Sequence, residues 1–347
     1  MTGESQVAAE RRDRCGYILL NRPKALNALT LDMVRAISAA LDDFENDDRV
    51  ERVVVQGAGE RAFCAGGDVR WVTERGRAGD LAAGRQFFRE EYTLNARIHS
   101  YRKPYVSLID GIVMGGGVGL SLHGTHRVVT ERAVFAMPEI GIGFFPDVGA
   151  TYALPRLPHR FGVALAATGL RANAGDMAHF GLATAHVGSA RIPALAEALA
   201  RPGDTGAIIA DFASSAPPSP LSAEIALFES AFAQAEPASV IARLSSAGTK
   251  FADTLRVQIS AGSPTSFALA LQQMKLGEAL SFTQAMQMEF RIVSRILEGH
   301  DFYEGVRAAL VDRDNRPQWR PAPDVAERNA YFAPLGRDDL YLEGDAA

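Results

Sequence analysis

The chain has 347 residues and a mass of 37.2 kDa, with 36 basic against 41 acidic side chains and a formal charge of −5. An apolar content of 47% with 22% charged residues excludes a disordered or collagen-like chain, and the acidic balance argues against nucleic acid as a partner. No run of 18 apolar residues occurs, so no membrane span is read. The two cysteines, Cys15 and Cys64, form no CxxC and read as reduced thiols.

The opening MTGESQVAAERRDR has no apolar h-region and no long Arg/Ser amphipathic pattern, which predicts neither a signal nor a transit peptide and hence a cytoplasmic protein. Residues 16–20 (GYILL) predict a buried strand, followed by the loop NRPKALNA. Thr30 is placed to cap a helix whose Met33, Ile37, Leu41 and Phe44 share one face. Residues 52–55 predict a second strand running into the turn-rich QGAGERAFCAGGD. Residues 83–99 predict a helix, and 105–109 a third strand entering DGIVMGGGVGLSLHG, a glycine-rich turn opening a helix. HRVVT and AVFAM predict two further strands. Strands alternating with helices imply a mainly parallel α/β core over residues 14–200. Beyond SSAPPSP (214–220), read as a linker or hard turn, only helices are predicted, so 201–347 reads as a C-terminal helical region. Ser263–Pro264 starts one of these helices, and the Ser281/Gln284 spacing opens another running to Leu297.

Several site types are excluded. There is no phosphate-binding GxxxxGK[ST], and GGGVGLS misses a dinucleotide fingerprint because position 120 is Leu. GLSLHG misses the nucleophile-elbow GxSxG because His123 follows Leu122. His123 and His126 lack a carboxylate at ligand spacing, so no metal site is expected.

Two glycine turns follow strands, Ala65-Gly66-Gly67-Asp68 and Gly115-Gly116-Gly117. Glycine exposes backbone N–H groups to close approach, and a helix start adds partial positive charge. Two such groups facing each other would hold a carbonyl oxygen as it becomes an oxyanion. The same glycines would also serve tight helix–strand packing, and spacing alone does not choose. MPEIGIGFFPDVG sets Glu139 and Asp147 in an apolar loop, where a carboxyl pKa rises toward neutrality; a pair of solvated loop acids is the alternative.

LNRPKALNAL, AFCAGGD, KPYVSLIDGIVMGGGVGLS, FAMPEIGIGFFPDVGATY and DFYEGVRAALVDRDNRPQW together resemble the enoyl-CoA hydratase/isomerase (crotonase) superfamily. The resemblance implies a crotonase-like spiral of ββα turns with a C-terminal helical region. It also implies an acyl-CoA substrate whose thioester oxygen enters an oxyanion hole made by the N–H groups of Gly67 and Gly116. Hydratases of this kind use two glutamates; the first falls here on Gly119 and the second on Glu139. That loss, together with Asp147, FFREEY and the D-x-D-x-x-P-x-W ending at Trp319, resembles the 3-hydroxyisobutyryl-CoA hydrolase branch. In that branch Glu139 would attack the thioester or activate water. Asp147 and Glu91 would hold the substrate 3-hydroxyl, and Lys24 with Ala25 would touch the CoA end, although Lys24 also reads as an ordinary surface lysine. The implied reaction is hydrolysis of a short 3-hydroxyacyl-CoA ester in valine catabolism. No cofactor is expected beyond the CoA carried by the substrate. The implied partners are the substrate and copies of the chain itself, as a trimer or hexamer. The alternatives are an enoyl-CoA hydratase or isomerase and a CoA-ester-binding protein without turnover.

Overall fold

The computed structural model describes residues 5–342; the first four residues, where the leader reading begins, and the last five, where the 201–347 region ends, lie outside it. Strands β1 (Val7–Arg12), β2 (Cys15–Leu20), β3 (Arg52–Gly57), β4 (Ala62–Ala65), β5 (Tyr105–Ile109), β6 (Ile112–Met114), β7 (His126–Val129), β8 (Val134–Ala136), β9 (Ala172–Asn173) and β10 (Ala185–His186) form two sheets. The first has the order β1-β2-β3-β5-β7-β10 and the second β4-β6-β8-β9. The chain thus places β3 in one sheet and β4 in the other, then repeats this with β5 and β6 and with β7 and β8. Helices follow each of these pairs. This is the spiral of ββα turns, and helices dominate the described residues after β10.

β1 runs antiparallel to β2, whereas β2, β3, β5, β7 and β10 pair in parallel. The central parallel strands are covered on both faces, which is why GYILL, the valines of RVVV and YVSLI run as near-continuous apolar stretches rather than alternating ones. β1 escapes a pattern search because five of its six residues are exposed along the sheet edge.

Two compact units emerge, each drawn from three stretches. The first comprises Met1–Gly67, Arg97–Phe135 and Ala172–Ser222, the second Asp68–Ala96, Ala136–Arg171 and Ala223–Ala347. The first unit is built around Cys15, Tyr17, Val54, Val106, Leu108, Val128, Leu195 and Ile209. Arg52, fully buried, is satisfied by the Thr205 hydroxyl (2.8 Å) and the Leu199 and Arg201 carbonyls (2.7 and 2.8 Å). Both cysteines are buried, and among the described residues neither is in a disulfide.

Local signals act where expected. Thr30 Oγ1 accepts the Met33 N–H at the start of helix Leu31–Asn46, whose Met33, Ile37, Leu41 and Phe44 are all buried. Ser263 caps helix Pro264–Gly277, and Ser281 with Gln284 completes a reciprocal capping box on helix Phe282–Ile296. A helix absent from the sequence reading, Val69–Arg77, is capped by Asp68, which gives the acid of AFCAGGD a local structural task. The SSAPPSP stretch is pinned to Asp176, which accepts from the Ser219 hydroxyl (2.7 Å) and the Leu221 N–H (3.0 Å). Among the described residues no helix is long and apolar enough to cross a membrane.

Candidate active site

The first unit carries the glycine turns. β4 and β6 are parallel neighbours with Ala65 paired to Met114, so Gly67 and Gly116 each stand two residues beyond a matched position. Gly66 has φ +115° and Gly115 has φ +47°, conformations that only glycine adopts freely. A Cβ at Gly117 would lie 2.2 Å from the Cys64 carbonyl oxygen, so this third glycine is required for the two turns to pack. Gly116 is the first residue of helix Gly116–Ser121, where a backbone N–H has no intrahelical acceptor. The Leu29 N–H bonds the Gly66 carbonyl (2.9 Å) and leaves the neighbouring Gly67 N–H outside that pairing. Gly119 is buried in the same short helix and contributes no side chain.

The loop bearing Lys24 and Ala25 runs beside the first turn. The Ala65 N–H donates to the Leu26 carbonyl (3.0 Å), and buried Asn27 donates to the Ala58 and Ala62 carbonyls (3.0 and 2.9 Å). Lys24 and Ala25 are exposed.

The second unit carries the carboxylates. Glu139 opens the short turn Glu139–Ile142 and is 6% exposed; its Oε2 has no hydrogen-bond partner among the described residues. Asp147, 4% exposed, accepts the Tyr92 hydroxyl on Oδ2 at 2.8 Å. Glu91 and Tyr92 sit on helix Leu81–His99, and Glu91 Oε1 likewise lacks a partner among the described residues. Phe88 stacks on Phe144 (5.4 Å between ring centres), Phe144 lies 4.9 Å from Phe302, and Tyr92 meets Phe290 edge-on. Burial therefore acts on every acid here. Desolvation, reinforced by the charge of Asp147, pushes Glu139 well above the usual carboxylate range. Glu91 rises well above it for the same reasons, with Glu289 adding repulsion. Asp147 is pushed up to about 7 by burial, against the pull of the Tyr92 hydroxyl.

Two residues of this cluster were not anticipated, Tyr92 and Glu289. Glu289 is fully buried, and desolvation first, then the charge of Asp147, push it up to about 8. Its signal was present: Phe282, Ala285, Met286, Val293 and Ile296 form an apolar stripe, and Glu289 falls on that stripe. The D-x-D-x-x-P-x-W motif serves architecture: Asp312 and Asp314 pair with Arg307, and Trp319 donates to the Ala261 carbonyl (3.0 Å). Among the described residues no three His, Cys, Asp or Glu side chains group to hold a metal.

The pKa directions give a stability prediction. Asp147 and Glu289 keep protons in the folded state up to about pH 7 and 8, whereas the unfolded chain releases them near pH 4. The native state then binds more protons than the unfolded state, so stability falls as pH rises through this window. The melting temperature should drop between pH 5.5 and 8.5, and Asp147→Asn should flatten that slope. An identical slope in the variant would remove Asp147 from the account.

A spiral of ββα turns, paired glycine turns and a buried carboxylate loop define a class, and residues 15–330 match the enoyl-CoA hydratase/isomerase family, to which the chain belongs. The 3-hydroxyisobutyryl-CoA hydrolase, mitochondrial, of Danio rerio is 43% identical over 97% of this chain and 92% of its own length. The protein of the same name from Xenopus tropicalis is 44% identical over 94% and 88%. Among solved structures, a carnitinyl-CoA dehydratase from Mycobacterium thermoresistibile is 39% identical with a TM-score of 0.93, covering 99% of this chain and all of its own. The names of the curated relatives overturn the cytoplasmic expectation, since those relatives are mitochondrial proteins. Compartment leaves little imprint on a core: reduced thiols and an acidic balance suit either location.

Proposed function

We propose that the chain hydrolyses short 3-hydroxyacyl-CoA thioesters, with 3-hydroxyisobutyryl-CoA as the preferred substrate, giving 3-hydroxyisobutyrate and CoA. The observation that carries this reading is the pair Glu139 and Asp147, buried in an apolar shell with Glu139 Oε2 unpartnered among the described residues, while Gly119 provides no second acid. Hydration of an enoyl thioester needs water held between two acid–base groups. Hydrolysis needs attack at the carbonyl carbon and an oxyanion hole. The relatives named 3-hydroxyisobutyryl-CoA hydrolase support the same assignment.

In this reading the N–H groups of Gly67 and Gly116 receive the thioester oxygen as it gains charge. Glu139 acts when ionised, by one of two routes. It attacks the carbonyl carbon, expels CoA as the thiol after protonation and leaves a mixed anhydride that water hydrolyses, or it takes a proton from the attacking water. Asp147 and Glu91 hydrogen-bond the substrate 3-hydroxyl, and Lys24 with Ala25 meets the CoA end, its ammonium facing phosphate. The reaction draws on no cofactor beyond the CoA of the substrate. The family resemblance supports self-association as a trimer or hexamer and a place in valine catabolism.

A thiol-release screen over short acyl-CoA esters tests the proposal. Release from 3-hydroxyisobutyryl-CoA should exceed that from isobutyryl-CoA by about 10²-fold, because an ester without the hydroxyl leaves a buried acceptor unpaired, worth roughly 2–3 kcal/mol. Crotonyl-CoA should not be hydrated measurably. Efficient hydration without thiol release from the hydroxy ester would establish a hydratase, and binding of the esters without any product would establish a carrier.

A further inference from the structure

Asp147 sits at the head of a strained turn. The Ala150 N–H donates to the Asp147 carbonyl (3.0 Å), and between them Val148 has φ +55° and Gly149 has φ +87°. Glycine takes this conformation freely, but a β-branched residue in the left-handed region is an outlier that persists only where its surroundings enforce it. The enforcement is visible. Glu289 Oε2 accepts the Gly149 N–H at 2.8 Å, and Glu289 Oε1 accepts the Thr151 N–H at 2.9 Å. Gln273 donates to the Pro146 carbonyl at 2.5 Å and to Thr151 Oγ1 at 2.6 Å. The turn is therefore gripped on both sides of Asp147 by helices Pro264–Gly277 and Phe282–Ile296, while Tyr92 fixes the Asp147 carboxylate itself.

Glu289 is an expensive way to grip a turn. It is fully buried, and the groups that act on it are Asp147 and the Gly149 and Thr151 donors rather than a basic side chain. Burying an acid with no cation beside it costs stability at every pH where the unfolded chain would ionise it, and hydroxyl or amide side chains satisfy backbone N–H groups without that penalty. What a carboxyl group offers is two oxygens on one rigid group, each with a lone pair for an N–H donor whether or not the group holds its proton.

We infer that Glu289 is a positioning residue: its carboxyl group clamps the Val148–Gly149 turn in the conformation that presents Asp147 to substrate. The inference rests on the role of Asp147 proposed above. Glu289→Gln keeps one acceptor oxygen and should lower kcat/KM for 3-hydroxyisobutyryl-CoA about tenfold; Glu289→Ala should lower it about 10²-fold, the scale of a small misplacement at a reacting group. Because the effect runs through Asp147, the double variant Glu289→Ala/Asp147→Asn should be no slower than Asp147→Asn alone. Hydrogen exchange followed by mass spectrometry supplies a readout that needs no turnover: amides in segment 146–152 should exchange faster in Glu289→Ala while other segments keep their protection. Losses that multiply in the double variant, or unchanged exchange in 146–152, would overturn the inference. If the native protein released no thiol from any ester, the proposed reaction would fall, and the exchange measurement alone would decide whether Glu289 clamps the turn.

Discussion

Glu139→Gln is expected to lower kcat by at least about 10²-fold while binding of CoA esters survives. Gln retains the shape of the side chain and one acceptor oxygen but can neither take a proton nor attack, and a lost general base typically removes a factor of this size. If Glu139 is the nucleophile, the fall is larger, since no mixed anhydride can form. Burial already disfavours the charged form of Glu139, so a neutral amide at that position should leave the melting temperature unchanged or raise it. Retained stability together with lost turnover separates a catalytic role from a structural one. Calorimetric binding and single-turnover thiol release make the measurement, and near-native turnover would remove Glu139 from both routes.

Gly116→Pro is expected to have a comparable or larger effect on the first unit's contribution. Gly116 is the first residue of its helix, a position where proline is tolerated and where the N–H is not needed within the helix. Gly115 before it has φ +47° and ψ −123°, outside the α region that a following proline disfavours. The substitution therefore removes one hydrogen-bond donor with little damage to the fold. Losing one oxyanion donor costs about 3–4 kcal/mol of transition-state stabilisation, or 10²- to 10³-fold in kcat. Gly117→Ala is the contrasting control: its Cβ would collide with the Cys64 carbonyl, so it should destabilise the protein. Circular dichroism reports whether each variant folds. A folded Gly116→Pro protein with undiminished kcat would show that this amide does not receive the oxyanion.

Parts of this molecule were legible one residue at a time. The parallel strands announced themselves as unbroken apolar runs because both of their faces are covered. Thr30, Ser263 and Ser281 marked helix starts because capping is a local hydrogen bond between residues three apart. The glycine turns, Glu139 and Asp147 were legible as candidates because the family motifs keep them in short contiguous segments. β1 and helix Val69–Arg77 were missed where exposed or charged residues hide the period.

Only the tertiary structure decided what depends on contacts distant in sequence. That Gly67 and Gly116 stand at matched positions follows from the pairing of Ala65 with Met114, 49 residues apart by their numbering, and strand register cannot be read from either strand alone. The apolar shell that raises the carboxyl pKa values joins Phe88, Phe144, Phe290 and Phe302 from separate segments. Glu289 reaches Gly149 across 140 residues, and its apolar neighbours along the helix disclose only that it is buried, not which backbone it holds. Local hydrogen bonds and hydrophobic period are properties of a segment. Desolvation and register are properties of what the rest of the chain brings to it: here register aligns Gly67 with Gly116, and desolvation raises the pKa values of Glu139 and Asp147.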